Sequence, residues 1–302
     1  MPLPSGVYAA AVTPRRPGTG DINLGVMWDL FDFLCERKID GIVLLGSTGE
    51  FIHYCDAERT RLIELAVRRS RVPVIVNISH STLDGAVELA QAAADSGAAG
   101  LLLMPPFFFH YDEDLIRTFI LRFAEQSDIE VPVLLYNLPQ FGNPISSPLA
   151  AELISQDVVQ GITDSSGDRE YFSTLIACRQ TKEFILMAGS DILFAQVRPH
   201  KIHGVISDAA CAVPELLVAL EGAWRTEARE LFAQLETRLA EFLARIDGFA
   251  VPVGIREALW LRQIKVGPNA IPFSPEGERL IGEFRAWFPG WLKIVLSECR
   301  NA

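Results

Sequence analysis

The chain has 302 residues, 49% of them hydrophobic and 22% charged, which matches an ordinary globular protein and excludes a disordered or fibrous one. A net charge of −11 and a pI near 5.0 repel phosphate backbones and anionic lipid. No dense Lys/Arg block offsets that balance, so neither nucleic acid nor a membrane surface is an expected partner.

Five cysteines, Cys35, Cys55, Cys178, Cys211 and Cys299, stand without CxxC spacing, against a zinc site or a disulfide framework and in favour of a reducing cytoplasm. The opening residues MPLPSGVYAAAVTP carry no basic stretch ahead of a long apolar core. No later run reaches about 18 uninterrupted apolar residues, so no targeting or spanning segment is expected.

In chain order, short apolar runs alternate with amphipathic stretches of helical length, the pattern of βα units on a parallel sheet. The expected strands are GVYAAAVTP from Gly6, DGIVLLGSTGE from Asp40, VPVIVNIS from Val72, GLLLMPP from Gly100, PVLLYNLP from Pro132, VVQGITDSS from Val158, FILMAGSD from Phe184 and GVISDAAC from Gly204. Several are nearly continuous apolar runs, as strands covered on both faces should be. Between them, residues 24 to 38 put Leu24, Met27, Trp28, Phe31 and Leu34 on one stripe, and residues 82 to 96 do the same with Leu83, Val87, Leu89 and Ala93.

Eight units close a (β/α)8 barrel. Residues 1–212 are expected to form that core. Residues 213–302 supply the last barrel helix and a helical extension, broken at Val251 and Pro252 and in the loop from Val266, within one structural unit. The rival is a doubly wound open sheet, but the first strand runs into TPRRPGTGD with no GxGxxG turn.

In a parallel barrel the chemistry sits at the C-terminal ends of the strands. The second strand ends Gly46, Ser47, Thr48, Gly49, Glu50, either a nest of N–H groups for a carboxylate or a tight turn with a helix-capping hydroxyl. The fifth ends at Tyr136, Asn137, Leu138, Pro139, where the phenol relays a proton or merely packs. Asp164, Asp191 and Asp208 near strand ends are a weak metal signal, because alternation turns Asp164 toward the helices if Thr163 points inward. His200 and His203 precede the eighth strand, at the wrong end for a site, and are expected on the solvated surface. The sequon at Asn77 falls on a strand and is discounted.

Taken together, GSTGE, YNLP, GITDSSGD, GSD at Gly189 and GVIS resemble, in order and near the spacing, the dihydrodipicolinate synthase and N-acetylneuraminate lyase family over essentially the whole chain. That resemblance implies a (β/α)8 lyase or aldolase that handles pyruvate or related 2-keto acids through a lysine imine, without a metal or cofactor. It implies a homotetramer built as a dimer of dimers. Ser47 and Thr48 take the positions that hold the acid's carboxylate and relay protons, and Tyr136 that of the general acid/base. Ile206 lines the site with its backbone, with Gly46 and Gly189 as further ligand-binding positions.

Three positions depart from the pattern. Thr163 stands where the family carries its Schiff-base lysine, and a hydroxyl supplies no iminium electron sink. Phe108 stands where a tyrosine reaches toward a neighbouring subunit, and Phe141 where the synthases carry an arginine. Lys38, Lys182, Lys201, Lys265 and Lys293 are expected away from the barrel mouth. Two readings follow: an enzyme acting on a keto acid or sugar acid by a non-covalent route, and a catalytically silent relative that senses such an acid or serves as a partner subunit.

Overall fold

The structure, a computed structural model, describes residues 3–200 and 202–300. Eight strands, β1 (Gly6–Ala10), β2 (Gly41–Leu44), β3 (Val74–Asn77), β4 (Gly100–Leu103), β5 (Val133–Asn137), β6 (Gly161–Asp164), β7 (Ile185–Ala188) and β8 (Gly204–Ser207), hydrogen-bond in sequence order as a closed barrel. The helices that alternate with them are α1 (Leu24–Glu36), α2 (Asp56–Arg69), α3 (Leu83–Ser96), α4 (Glu113–Ser127), α5 (Ser147–Ser155), α6 (Arg169–Cys178) and α7 (Phe194–Val197). Then come α8 (Ala209–Ala212), α9 (Pro214–Arg225), α10 (Arg229–Ile246), α11 (Val253–Leu261) and α12 (Pro275–Cys299). The fold is the expected (β/α)8 barrel with a helical C-terminal extension.

The expected strands are all present but shorter than their apolar runs. Residues past Ala10, such as Thr13 and Arg15, stay buried, yet their hydrogen bonds go to loops: Thr13 donates to Gly49 O at 2.7 Å and the Arg15 N–H to Val266 O at 2.9 Å. The strand residues are almost all buried, as two-sided cover requires.

Contacts divide the chain into two compact units, one of Cys55–Ile206 with the residues up to Ser5, the other of Gly6–Tyr54 with the chain from Ser207 on. In the first, α2 packs on α3 and α3 on α4. The stripe expected on α3 is shifted. Gly85, Ala86, Leu89, Ala90 and Ala93 are buried, while Leu83 and Val87 are only half-buried, because the small side chains let helices approach closely and push larger ones to the flank.

In the second unit α1 also buries a face broader than the expected stripe, with Leu30 and Phe33 beside Met27, Phe31 and Leu34, and leaves Leu24 and Trp28 half-buried. The extension is held by rings: Phe242 of α10 stacks on Trp291 of α12 at 5.4 Å between centroids, and Phe284 stacks on Phe288 at 5.3 Å. Arg238 grips Glu298 with two hydrogen bonds of 2.8 and 2.9 Å. Glu215 accepts from both Arg37, at 2.7 Å, and Arg262, which together hold its carboxyl below the usual range against the opposing effect of burial.

Candidate functional site

Within the second unit, the turn after β2 is fixed by its own backbone. Leu45 and Glu50 adopt left-handed backbone angles of 59° and 53°, and the Glu50 N–H closes the turn on Ser47 O at 2.9 Å. Gly49 is required by close approach: a Cβ there would lie 2.9 Å from the Leu45 Cα and 3.2 Å from Ala11 O. Among the described residues the N–H groups of Thr48 and Gly49 have no hydrogen-bond partner, which suits an anion.

The turn is tight, but the Thr48 hydroxyl does not cap the helix that follows. The single-turn 3-10 helix Phe51–His53 begins at Glu50 without a side-chain cap, and the buried Thr48 hydroxyl donates instead to the Asp208 carboxyl. Asp208 lies just beyond β8. Protein packed around it pushes its pKa up, and the bond from Thr48 opposes that shift.

Glu50 anchors the turn from below. Its carboxylate meets Arg256 of α11 at 3.2 Å and Arg15 at 3.4 Å. The terminal N–H groups of Arg256, which is only 2% exposed, also donate to Thr13 O at 3.1 Å and to Val266 O and Pro268 O at 2.8 Å each. His53 adds a 3.0 Å bond to Arg15.

Within the first unit, Tyr136 of β5 and Thr163 of β6 are register partners, and Thr163 pairs in turn with Met187 of β7, so the three side chains share one face of the sheet. Tyr136 is 7% exposed. Thr163 is fully buried, and its hydroxyl has no hydrogen-bond partner. Beside it Gly189 is needed for space, since a Cβ would sit 2.0 Å from the Ser165 Oγ and 3.2 Å from the Thr163 Oγ1.

The alternate residues of the same strands face the other way and satisfy one another. Asn137 donates to Asp164 at 2.7 Å, and Ser166 adds a 2.8 Å bond to the same carboxyl. Burial pushes the Asp164 carboxyl up while these bonds pull it down. The Tyr171 phenol of α6 is raised first by burial and then by the charge of Asp164. Asp164 is thus turned toward α6, and the described residues hold no group of three His, Cys, Asp or Glu able to share a metal ion.

Ile206, in β8, is half-buried. Phe108 is 87% exposed with φ at 82°, edge-on to Phe109 at 5.0 Å, and Phe141 is also exposed. Sequence reasoning missed what fixes this aromatic loop: the Asn143 amide donates to Pro106 O at 2.7 Å and Phe109 O at 2.8 Å and accepts from the Tyr111 N–H at 3.1 Å. It also missed Arg256, which no local motif signals.

Of the lysines, Lys182 donates to Asp157 at 2.6 Å and Ser155 O at 3.0 Å, Lys265 lies 4.1 Å over the Trp260 ring, and Lys38 and Lys293 are exposed. Lys201 lies outside the described residues. One histidine differs from expectation. His200 is exposed, but His203 is half-buried, its ring nitrogen accepting from the Leu186 N–H at 3.4 Å, so burial and then Arg179 push its pKa down. Asn77 is fully buried and accepts from Ser79, out of reach of glycosylation.

The model of the dihydrodipicolinate synthetase family matches residues 3–285. The chain belongs to that family. Among curated members, the 4-hydroxy-tetrahydrodipicolinate synthase of Methanoculleus marisnigri is 28% identical over 284 residues, covering 93% of this chain and 97% of its own. A DapA-like lyase of Chloroflexus aurantiacus is 27% identical over 292 residues, covering 95% and 96%.

Solved structures with the dihydrodipicolinate synthase fold superpose throughout. YagE of Escherichia coli K12, a family member solved in complex with pyruvate, has a TM-score of 0.86 at 22% identity, covering 95% of this chain and 98% of its own. The 4-hydroxy-tetrahydrodipicolinate synthase of Methylacidiphilum fumariolicum reaches 0.87 at 22%, with 98% of each chain covered. Among the described residues no helix is long and apolar enough to cross a membrane.

Proposed function

We propose that this member of the dihydrodipicolinate synthetase family binds a pyruvate-like 2-keto acid or a sugar acid and acts on it without forming an imine. The observation that carries the reading is Thr163, a buried hydroxyl lacking any partner, at the position that resemblance gives to the Schiff-base lysine. An alcohol adds to a ketone only reversibly and creates no cationic electron sink. By analogy with the loss of nucleophiles elsewhere, turnover falls on the order of 10^4 to 10^6 below that of an imine-forming relative.

In this reading the unengaged N–H groups at Thr48 and Gly49 hold the carboxylate, with Gly46, Gly189 and Ile206 as ligand-lining positions. Tyr136 and Ser47 move the proton. Support comes from the family match, from the turn preformed by Arg256 and Glu50, and from the pyruvate complex of YagE. The alternative role, a silent sensor or partner subunit, shares the same binding and differs only in turnover.

The test is covalency. Incubated with pyruvate and borohydride, the protein keeps its mass; a stable adduct on any lysine overturns the non-covalent reading. A thermal-shift panel of keto acids and aldonic acids then identifies the ligand. A cytoplasmic homotetramer, with Phe107–Phe109 near a subunit contact, completes the proposal. Sedimentation of the full chain checks the assembly.

A further inference from the structure

Among the described residues Asp208 is a carboxyl without a counter-ion. It retains some accessible surface at the end of β8 but is closely surrounded, and the hydrogen bond from Thr48 is the one polar contact its side chain makes among the described residues.

Every other buried ionisable group on the elements packed against α8 is accounted for. Arg256 of α11 is matched by Glu50 at 3.2 Å, and Glu257 of α11 by Arg285 at 2.8 Å. Glu221 of α9 is matched by Arg225 at 2.8 Å. Burial raises Tyr8 of β1 and Cys211 of α8, which keeps both neutral, and α10 buries only Leu235, Leu239 and Phe242. Among the described residues no cation remains for Asp208. A carboxyl desolvated without a counter-ion holds its proton more tightly, as in the known cases where a neutral acid serves as a hydrogen-bond donor.

The position matters because Thr48 is shared. Thr48 presents its hydroxyl to Asp208 and its unengaged N–H at the turn proposed above for the ligand's carboxylate. An ionised Asp208 beside that turn would repel an anion, whereas a protonated one adds a short, charge-assisted O–H···O⁻ bond to it.

We propose that Asp208 is a specificity-determining residue of this site, which donates a hydrogen bond from its protonated carboxyl to the carboxylate of the bound acid. The inference rests on the keto-acid reading and adds a residue to it. The site then takes small monoanionic acids together with a retained proton. Its affinity for them falls as pH rises through the Asp208 pKa, because two like charges then share the turn.

The experiment is calorimetric binding of pyruvate, an anion throughout, to the full chain at pH 5.5 and pH 8.5, for wild type, Asp208→Asn and Asp208→Ala. Wild type is expected to bind about tenfold or more weakly at the higher pH. Asp208→Asn, similar in size and a neutral donor, stays within about threefold of wild type at pH 5.5 and loses the pH dependence. Asp208→Ala binds about tenfold more weakly than wild type at pH 5.5.

Melting curves of each variant show whether the fold is kept, and the isosteric Asn variant carries the result if Ala is unfolded. Wild-type binding that is equal at the two pH values, an Asn variant as impaired as Ala, or an Ala variant as tight as wild type overturns the assignment of Asp208 and leaves the keto-acid reading standing. Absence of pyruvate binding by wild type at both pH values overturns the keto-acid reading, and the role of Asp208 with it.

Discussion

Arg256 and Glu50, 206 residues apart in sequence, form a buried ion pair at 3.2 Å beneath the turn that ends β2. Burial lowers the Arg256 pKa and the charge of Glu50 restores part of it, so the pair offsets part of the cost of burying the guanidinium. Replacing Arg256 by Ala leaves Glu50 with Arg15 and His53 and frees the carbonyls of Thr13, Val266 and Pro268. The expected loss is about 3–5 kcal/mol, read as a lower urea midpoint. A change below about 1 kcal/mol would mean that the turn stands without its anchor.

The unpartnered hydroxyl of Thr163 makes an opposite prediction. Thr163→Val keeps the shape and removes a desolvated polar group, so stability rises by about 1 kcal/mol and the melting temperature by about 2–4 °C. A lower melting temperature would show that the hydroxyl is satisfied in solution.

Thr163→Lys tests whether the strands still support the chemistry that resemblance assigns to them. With pyruvate and borohydride, this variant is expected to gain the mass of one reduced adduct, mapped by peptide mass spectrometry to residue 163. An unmodified residue 163 in a folded variant would detach this position from the imine-forming role.

Asp164 and Asp208 both have pKa values raised by burial, and the sign of the pH dependence follows. Above the ordinary carboxylate range the folded state holds these protons more tightly than the unfolded chain does. Their stabilisation is therefore complete at low pH and is lost as pH rises through the folded-state values. Asp208→Asn is expected to flatten part of this decline, with a melting temperature above wild type at pH 8. Parallel melting profiles of wild type and variant from pH 5 to 8 would sink the prediction.

The thiols should differ in reactivity. Cys211 is fully buried and pushed up to about 12 by burial, and Cys299 likewise, with Glu215 adding to the effect, whereas Cys55 is exposed. Iodoacetamide at pH 8 is expected to label Cys55 first, with Cys211 protected until denaturant is added. Early labelling of Cys211, followed by mass spectrometry, would indicate that the β1–α8 packing opens readily.

The barrel was legible because each strand is a short apolar run of its own, and the two-sided cover that buries it writes the same signature eight times. The strand ends were legible as motifs. GSTGE names the turn, but it does not say that Thr48 bonds to a residue 160 positions away. That contact alone shows that the Thr48 hydroxyl is engaged by Asp208 and not by a helix end. On α3 the periodicity found a helix and misjudged its face, because hydrophobicity scales weight Leu83 and Val87 above Gly85 and Ala86, while close helix packing does the reverse. His203 escaped because its ring bonds to Leu186, 17 residues earlier, and not to its own neighbours in sequence.

Asn143 fastens both flanks of the segment bearing Phe108 and Phe109, so the two rings are displayed on a braced scaffold. Ordering a loose loop would tax any association by the freedom it gives up. Here that freedom is already surrendered during folding, and whatever surface meets these rings finds a knob set in advance, with recognition governed by shape match and not by the cost of stiffening the chain.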